Sequence, residues 1–371
     1  MENNELIKYD GGLIKRVGNA ISVTSKLLAL AEPQLIPYRK NNTWGYCTPD
    51  KKIVINCVYD VANEFYGGLA MVVKDDKFGF INKKGHIVIP LIYSHCNDFS
   101  ESLSAAVKEI NYGFIDINGN EIIPFIYKSA YRIKEGLAIV REIDGKYGGI
   151  NRKGDIIIPF IYEHVNECSE GMVAVMKDKK YGFVDITGIE IIPCTYNFAY
   201  NFSEGLAHVK KDRKYGFVDK KGNVIIPFIY DRANAFSEGL AGVVKDGKFG
   251  FIDKEGNTKI PFIYDNTINS FGVKFLEGIV AVEKNRKIGF VNHYGSVIIP
   301  FIYDKGYYCS EGLIGVVHDF ADSGFIDKQG NIVIPFIYQS TGSFMQGLAP
   351  VFDWNDNRGF INKEGVQFWE D

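Results

Sequence analysis

Residues 240–265 read LAGVVKDGKFGFIDKEGNTKIPFIYD and contain the plan of the whole fold. Two runs of alternating apolar residues flank Asp246-Gly247, a pair that favours the type I′ turn of a tight β-hairpin. Residues 254–257 (KEGN) then supply a second turn, and a third apolar run ends at Tyr264. The stretch therefore predicts three antiparallel strands in one small unit.

The same phrase recurs around a glycine that usually follows an aromatic residue. Successive glycines are 34 or 35 residues apart, with one interval of 39. These glycines are Gly45, Gly79, Gly113, Gly148, Gly182, Gly216, Gly250, Gly289, Gly324 and Gly359. A fixed period of this length is typical of stacked repeats. We therefore predict an all-β tandem array of about ten three-stranded antiparallel units, each 34–39 residues long, over residues 28–371.

A proline recurs inside the third predicted strand, as at Pro227 and Pro261. Because proline has no N–H to donate to a ladder, this strand is expected to lie at a sheet edge or to bend at the proline. An odd number of strands leaves the chain at the far end of the unit. A connector such as residues 231–239 is therefore expected to cross back before the next unit begins.

The number of units bears on whether the array closes. Propeller blades usually have four strands in about 40 residues, and rings usually close at about 4–8 blades. This chain has more and shorter units, and its first and last units both look complete, so no half-unit remains to lock a ring. The sequence favours an open superhelical body like a β-solenoid. A closed ring like a β-propeller is the alternative.

Phrases such as KYGFVD (214–219), GNVIIPFIYD (222–231) and FSEGLA (236–241) resemble the WG repeat family, also called KWG repeats. Only Trp44 keeps the tryptophan, and Ile288, Ser323 and Arg358 depart furthest from an aromatic residue. The resemblance implies a bacterial protein with an interaction or scaffold role. It implies no family-wide catalytic residues.

Composition narrows the function classes. Hydrophobic residues make up 46% of the 371 residues and aromatic residues 14%, which is ample for a core. The net charge of -3 gives no electrostatic footprint for nucleic acid or an anionic membrane. The N-terminus has no apolar run of signal-peptide length, and no segment predicts membrane insertion. We predict a monomer in which residues 1–27 cap the exposed edge of the first unit.

The chemistry-bearing residues follow the repeat and are expected to build the body. The six cysteines replace residues of packing columns and show no Cys-x-x-Cys spacing, so we expect no metal site and a cytoplasmic location. A glutamate column (Glu101, Glu135, Glu170, Glu204, Glu238, Glu277, Glu311) and a lysine column (Lys77, Lys146, Lys180, Lys214, Lys248, Lys287) predict an ion-pair ladder. Asp or Asn after the middle strand is expected to close the next turn. No enzyme activity or cofactor is predicted.

Columns that vary among the repeats are free to recognise a partner. Two such columns in the connectors supply the candidate partner-binding residues His95, Tyr131, His164, Phe198, Tyr200, Arg232, Lys305 and Tyr307. A break in the repeat near residues 266–275 is either a binding loop or a tolerated insertion. The sequence predicts a non-enzymatic scaffold for an unidentified protein partner. The alternative is a module that binds a glycan or cell-envelope ligand.

Overall fold

The computed structural model describes residues 6–9, 12–15, 34–265, 273–319 and 322–370. In this part of the chain the regular secondary structure is entirely β. The first two strands, β1 (Leu6–Tyr9) and β2 (Gly12–Lys15), pair antiparallel. This hairpin is the described part of the predicted N-terminal cap, and the remainder of residues 1–27 lies outside the described residues.

The other strands form ten units. Units 1 and 2 contain β3 (Ile36–Lys40), β4 (Thr43–Cys47), β5 (Ile53–Tyr59), β6 (Val61–Ala62), β7 (Leu69–Lys74), β8 (Lys77–Asn82) and β9 (Ile87–Tyr93). Units 3 and 4 contain β10 (His95–Cys96), β11 (Leu103–Lys108), β12 (Asn111–Asp116), β13 (Glu121–Tyr127), β14 (Ser129–Ala130), β15 (Leu137–Arg141), β16 (Tyr147–Asn151) and β17 (Ile156–Tyr162).

Units 5 and 6 contain β18 (His164–Val165), β19 (Met172–Lys177), β20 (Lys180–Asp185), β21 (Glu190–Tyr196), β22 (Phe198–Ala199), β23 (Leu206–Lys211), β24 (Lys214–Asp219) and β25 (Val224–Tyr230). Units 7 and 8 contain β26 (Arg232–Ala233), β27 (Ala241–Lys245), β28 (Lys248–Ile252), β29 (Thr258–Asp265), β30 (Ile279–Lys284), β31 (Lys287–Asn292) and β32 (Val297–Tyr303). Units 9 and 10 contain β33 (Lys305–Ser310), β34 (Leu313–His318), β35 (Asp322–Asp327), β36 (Ile332–Tyr338), β37 (Ser340–Thr341), β38 (Leu348–Phe352) and β39 (Arg358–Asn362), and β40 (Trp369–Glu370) follows.

The regular unit has four strands, and the predicted count of three is wrong because the connector is itself a strand. In unit 6, β22 pairs with β23, which pairs with β24, which pairs with β25, all antiparallel. After β22 the pairing resumes at a bridge between Ser203 and Leu206. Glu204 and Gly205 form the turn between them, both with positive φ. The connector therefore does not cross back; it supplies the first strand of the next unit and leads into the second.

Three turns per unit set the hairpins. Asp246 and Gly247 both have positive φ, which confirms the predicted type I′ turn. In the next turn the Asp253 carboxylate accepts hydrogen bonds from the N–H groups of Glu255 (3.1 Å) and Asn257 (2.8 Å). The predicted turn-closing role of this column is thereby confirmed.

The recurring glycine and proline meet where the third strand passes the fourth. Tyr215 pairs with Tyr230 and Phe217 with Ile226, so three residues around Pro227 bulge opposite Gly216. A Cβ on Gly216 would lie 2.6 Å from the carbonyl oxygen of Ile226, too close for any other residue. The strand that contains the proline is both an edge strand and bent, as predicted from its missing N–H.

The ring is closed, as in the alternative interpretation, and the favoured open superhelix is not what the chain forms. The last strand β40 pairs parallel with β3 and completes the sheet of unit 1. Phe360 and Phe368 share one buried cluster with Trp44 of the first unit. The closing strand escaped detection because two residues carry too little periodicity to predict a strand.

Candidate binding surface on the first strands

Glu64 lies just after the first strand of unit 2, where distant units approach one another. Glu64 of unit 2 is electrostatically coupled to Glu311 of unit 9 and Arg358 of unit 10. Units so far apart around the ring come close only near its centre. Burial raises the pKa of Glu64 to about 7, and the attraction of Arg358 only partly offsets this.

All eight predicted partner-binding residues lie on these first strands or in the bulges that follow them. His95, Tyr131, Tyr200, Arg232, Lys305 and Tyr307 are exposed, and His164 and Phe198 are half-buried. The fold does not gather them into one cluster: His95 belongs to unit 3 and Lys305 to unit 9. It spreads them along an arc.

Neighbouring members of the arc make a continuous aromatic contact path in units 4 to 6. The His164 ring lies 6.0 Å from that of Tyr147 and 6.1 Å from that of Tyr181. Phe198 lies 5.5 Å from Tyr181 and 5.3 Å from Tyr200. Burial lowers the pKa of His164, so this imidazole stays neutral in the stack at neutral pH.

Units 4, 6 and 9 each have an exposed tyrosine at the same position, just after the start of the first strand. Tyr131, Tyr200 and Tyr307 are 40%, 37% and 38% exposed. The same position holds Asn97, Asn166 and Asn234 in units 3, 5 and 7. A phenol is an apolar ring with a polar tip, which suits it to an interface that is wet at its rim.

The glutamate column forms the predicted ladder, but with other cations than expected. Each of the seven carboxylates accepts a hydrogen bond from a glycine N–H of the next unit, as Glu204 does from Gly239 at 3.1 Å. Glu204 also pairs with Lys254 at 3.1 Å. The basic side chains that pair with these glutamates lie in the turn after the third strand: Arg152, Lys220, Lys254, His293, Lys328 and Lys363.

The predicted lysine column serves a second ladder on the opposite face. Lys214, Lys248 and Lys287 pair with Asp231, Asp265 and Asp304, each at the start of the next unit, at 2.5, 2.9 and 2.6 Å. Asp231 and Asp304 lie directly before the first strands β26 and β33, and Asp265 ends β29. The repeated charges therefore join unit to unit.

The cysteines lie where the repeat alignment predicted apolar packing. Cys47, Cys96, Cys168 and Cys309 are buried, and Cys57 and Cys194 are half-buried. Burial raises the pKa of Cys96 to about 12, so its thiol is protonated and unreactive at neutral pH. Within the described residues, no group of three or more His, Cys, Asp or Glu side chains is placed to hold a metal ion. The same residues include no helix capable of crossing a membrane.

One residue that the sequence analysis did not single out makes unit 6 unusual. His208 is 4% exposed in a strand position that holds Ala174 and Gly242 in the neighbouring units. Its ring stacks on Tyr200 with 4.7 Å between centroids. The signal is visible in the sequence, because His208 is a polar residue in a column of apolar residues.

The fold is a repeat-built, propeller-like all-β ring. The chain matches the family model described as "WG containing repeat" nine times, over residues 44–78, 78–109, 112–147, 147–181, 181–215, 215–249, 249–287, 288–319 and 324–352. The matches cover most of the chain, so this protein belongs to the WG repeat family. No curated protein matches the sequence significantly.

Several solved structures superpose on this chain at low sequence identity. A crystal structure titled as the eukaryotic initiation factor superposes with a TM-score of 0.54 at 10% identity, covering 90% of this chain and 100% of that one. The computationally designed Ika8 protein gives 0.43 at 13% identity, covering 71% and 94%. BamB from Moraxella catarrhalis gives 0.40 at 10% identity, covering 83% and 98%. The first likeness shows a common fold and nothing about function.

Proposed function

We propose that this protein is a non-enzymatic scaffold that binds a protein partner across the first strands of its ring. The observation that carries the proposal is the tyrosine series Tyr131, Tyr200 and Tyr307, exposed at one position of an otherwise constant frame. Exposed tyrosines bury a large area at small entropic cost, which makes them frequent interface anchors.

The surroundings of these tyrosines suit a protein surface of mixed charge. One residue beyond the tyrosine column, Arg132 lies 3.7 Å from Glu167 of the next unit, and the Lys274 ammonium lies 5.6 Å from the Tyr308 ring. Both signs of charge therefore occur beside the anchors. A partner with complementary charges would gain orientation and association rate more than affinity.

The repeated carboxylates support the non-enzymatic part of the proposal. The seven ladder glutamates each hold a glycine N–H of the next unit. Asp253 and its equivalents hold turn N–H groups in the same way. These carboxylates stabilise turns and unit boundaries, and this structural role accounts for their repetition without a role in proton transfer. A hydrolase screen with lysate-derived substrates would contradict this part if it found turnover by purified protein.

Site-specific photo-crosslinking tests the surface. A photoreactive amino acid is placed singly at Tyr131, Tyr200 and Tyr307, and at Tyr294, a turn tyrosine that is 88% exposed, as the matched control. We expect the first three positions to crosslink one common protein in native lysate and position 294 not to. The variants Tyr131→Ala and Tyr200→Ala, combined, should reduce capture about tenfold or more.

Unchanged capture by the double variant, with a thermal unfolding profile like that of the parent, would contradict the proposed surface. Crosslinks to no protein, together with binding to purified envelope polysaccharide, would replace the protein partner by the glycan alternative. Cytoplasmic location, bacterial origin and a monomeric state remain predictions. Cell fractionation and analytical ultracentrifugation test the first and the last.

A further inference from the structure

A cavity of about 470 Å³ opens at unit 6, on the face that holds the turn between its second and third strands. It is lined by Asn197, Phe198, Lys210, Asp212, Arg213 and Tyr215. The volume is within the range of small-molecule sites, about 300–1,000 Å³. Tyr131 and Tyr307 belong to units 4 and 9, so binding in this cavity is separable from capture of a protein partner.

Cations dominate the lining of this cavity. Lys210 lies near the end of β23 and Arg213 in the turn that follows, with Asp212 as the one acidic lining residue. The Lys210 ammonium lies 5.3 Å from the centre of the Tyr215 ring. Burial raises the pKa of the Tyr215 hydroxyl, and the positive charge of Arg232 in the next unit partly offsets this, so Arg232 also acts on this cavity.

The residue that precedes the first strand of unit 6 adds no negative charge to this cavity. At the equivalent position of the repeat, Asp231, Asp265 and Asp304 each pair with a lysine of the preceding unit, whereas units 3 and 4 have Ser94 and Lys128. In unit 6 that residue is Asn197, which accepts a hydrogen bond from the Asp212 N–H at 3.2 Å but carries no charge. Within the described residues, Lys180, the lysine of the preceding unit, forms no ion pair with a carboxylate.

Aromatic rings form the other side of the cavity. Phe198 and Tyr215 are half-buried and line it directly. Behind them His208 lies 6.3 Å from Tyr215 and stacks on Tyr200. The His208 Nδ1 is buried with no hydrogen-bond partner among the described residues, and burial lowers the pKa of this imidazole to about 3. The neutral His208 ring therefore packs behind Phe198 and Tyr215 without adding a charge to the cavity.

We propose that this cavity binds a small organic anion in which a phosphate group lies beside a flat unsaturated ring, the chemistry of a mononucleotide. Lys210 and Arg213 receive the phosphate, since guanidinium and ammonium groups form the strong charge-assisted hydrogen bonds to such anions. Phe198 and Tyr215 receive the ring, because an aromatic face stacks on a base regardless of its identity.

Isothermal titration calorimetry on the full chain tests the site, with adenosine monophosphate, adenosine and inorganic phosphate as probes. We expect adenosine monophosphate to bind about tenfold or more tightly than either fragment, because only it engages both walls. Arg213→Ala and Lys210→Ala should each weaken binding about tenfold, and Arg213→Lys should weaken it less. Asn197→Asp should also weaken binding, since it restores the ladder carboxylate beside Lys180.

Arg286→Ala is the matched control, because Arg286 occupies the same turn position in unit 8 with a similar positive φ. It should leave the affinity unchanged. The proposal fails if adenosine monophosphate gives no heat, if Arg286→Ala weakens binding as much as Arg213→Ala, or if adenosine binds as tightly as its phosphate. Tight binding of a single-stranded oligonucleotide with none of the mononucleotide would also overturn it. Arg213→Ala should not alter crosslinking at Tyr131, which keeps the two proposals separable.

Discussion

Units 3 to 9 and the seam between units 10, 1 and 2 hold the ring together by different means. At each boundary between regular units, a ladder glutamate accepts a hydrogen bond from the next turn, as Glu204 does from the Gly239 N–H. At the seam the ladder positions are Gly67 and Gln346. Closure depends instead on a two-residue parallel strand pair and a shared aromatic cluster.

The difference has a covalent origin. A regular boundary is crossed by the chain itself, since the fourth strand of one unit leads directly into the first strand of the next. The seam brings together residues more than 300 positions apart, such as the Arg39 Nε donating to the Arg358 carbonyl at 3.0 Å. Loop closure entropy opposes this contact, so the seam needs buried apolar area rather than a surface ion pair.

The largest expected effect on stability comes from truncating the buried Phe368 side chain at the seam. Phe368 is fully buried, and its carbonyl accepts from the Arg39 N–H at 3.3 Å. Phe368→Ala should lower the free energy of unfolding by about 3–5 kcal/mol through the cavity it leaves. It should also increase the radius of gyration by small-angle scattering, because the ring opens.

Phe236→Ala is the comparison in a regular unit, where the phenylalanine is 1% exposed. Its stability loss should be similar, but the radius of gyration should stay constant because the chain still spans that boundary. Equal radii for both variants at a temperature where both are folded would contradict a weaker seam.

A smaller effect is expected at Glu64, next to the seam. Its raised pKa of about 7 means that the folded state holds the proton more tightly than the unfolded state. Its contribution to stability is therefore largest below the unfolded pKa and is lost as the pH rises toward 7. Glu64→Gln, which mimics the protonated form, should stabilise the protein by about 2 kcal/mol at pH 8 and hardly at all at pH 4.

Arg358, Glu311 and Asp98 are the charged groups that act on Glu64. Chemical denaturation of both proteins across this pH range measures the difference. A Glu64→Gln variant that is less stable than the parent at pH 8 would show that attraction to Arg358 outweighs the desolvation of the carboxylate.

The smallest effect is expected from a single rung of the regular ladder. Glu204→Ala should destabilise the protein by about 1 kcal/mol, mostly because the Gly239 N–H loses its acceptor, since the partly exposed ion pair with Lys254 contributes little. Thermal unfolding at low and high salt separates the two contributions. Glu255→Ala, at an exposed turn residue, is the control. If the stability loss of Glu204→Ala disappears in high salt, the ion pair with Lys254 rather than the hydrogen bond to Gly239 makes the main contribution.

The exposure of the candidate tyrosines was foreseeable from the chain, and the cavity at unit 6 was not. The variable columns identified Tyr131, Tyr200 and Phe198 because variation over a constant frame is visible in the repeat itself. The cavity at unit 6 was not foreseen, since its cations come from β23 and the following turn while its aromatic wall comes partly from the first strand. No single column contains that arrangement.

The sequence by itself determined the hairpins, the turns and the period, because these depend on local chemistry: positive φ at Asp246-Gly247, the turn-closing Asp253, and the missing N–H of Pro227. Only the tertiary structure decided that the connector is a fourth strand and that the ring closes. Both depend on which backbones meet. The connector strand pairs over two residues at a time and β40 pairs with a strand at the other end of the chain, so neither leaves a periodic trace in the sequence.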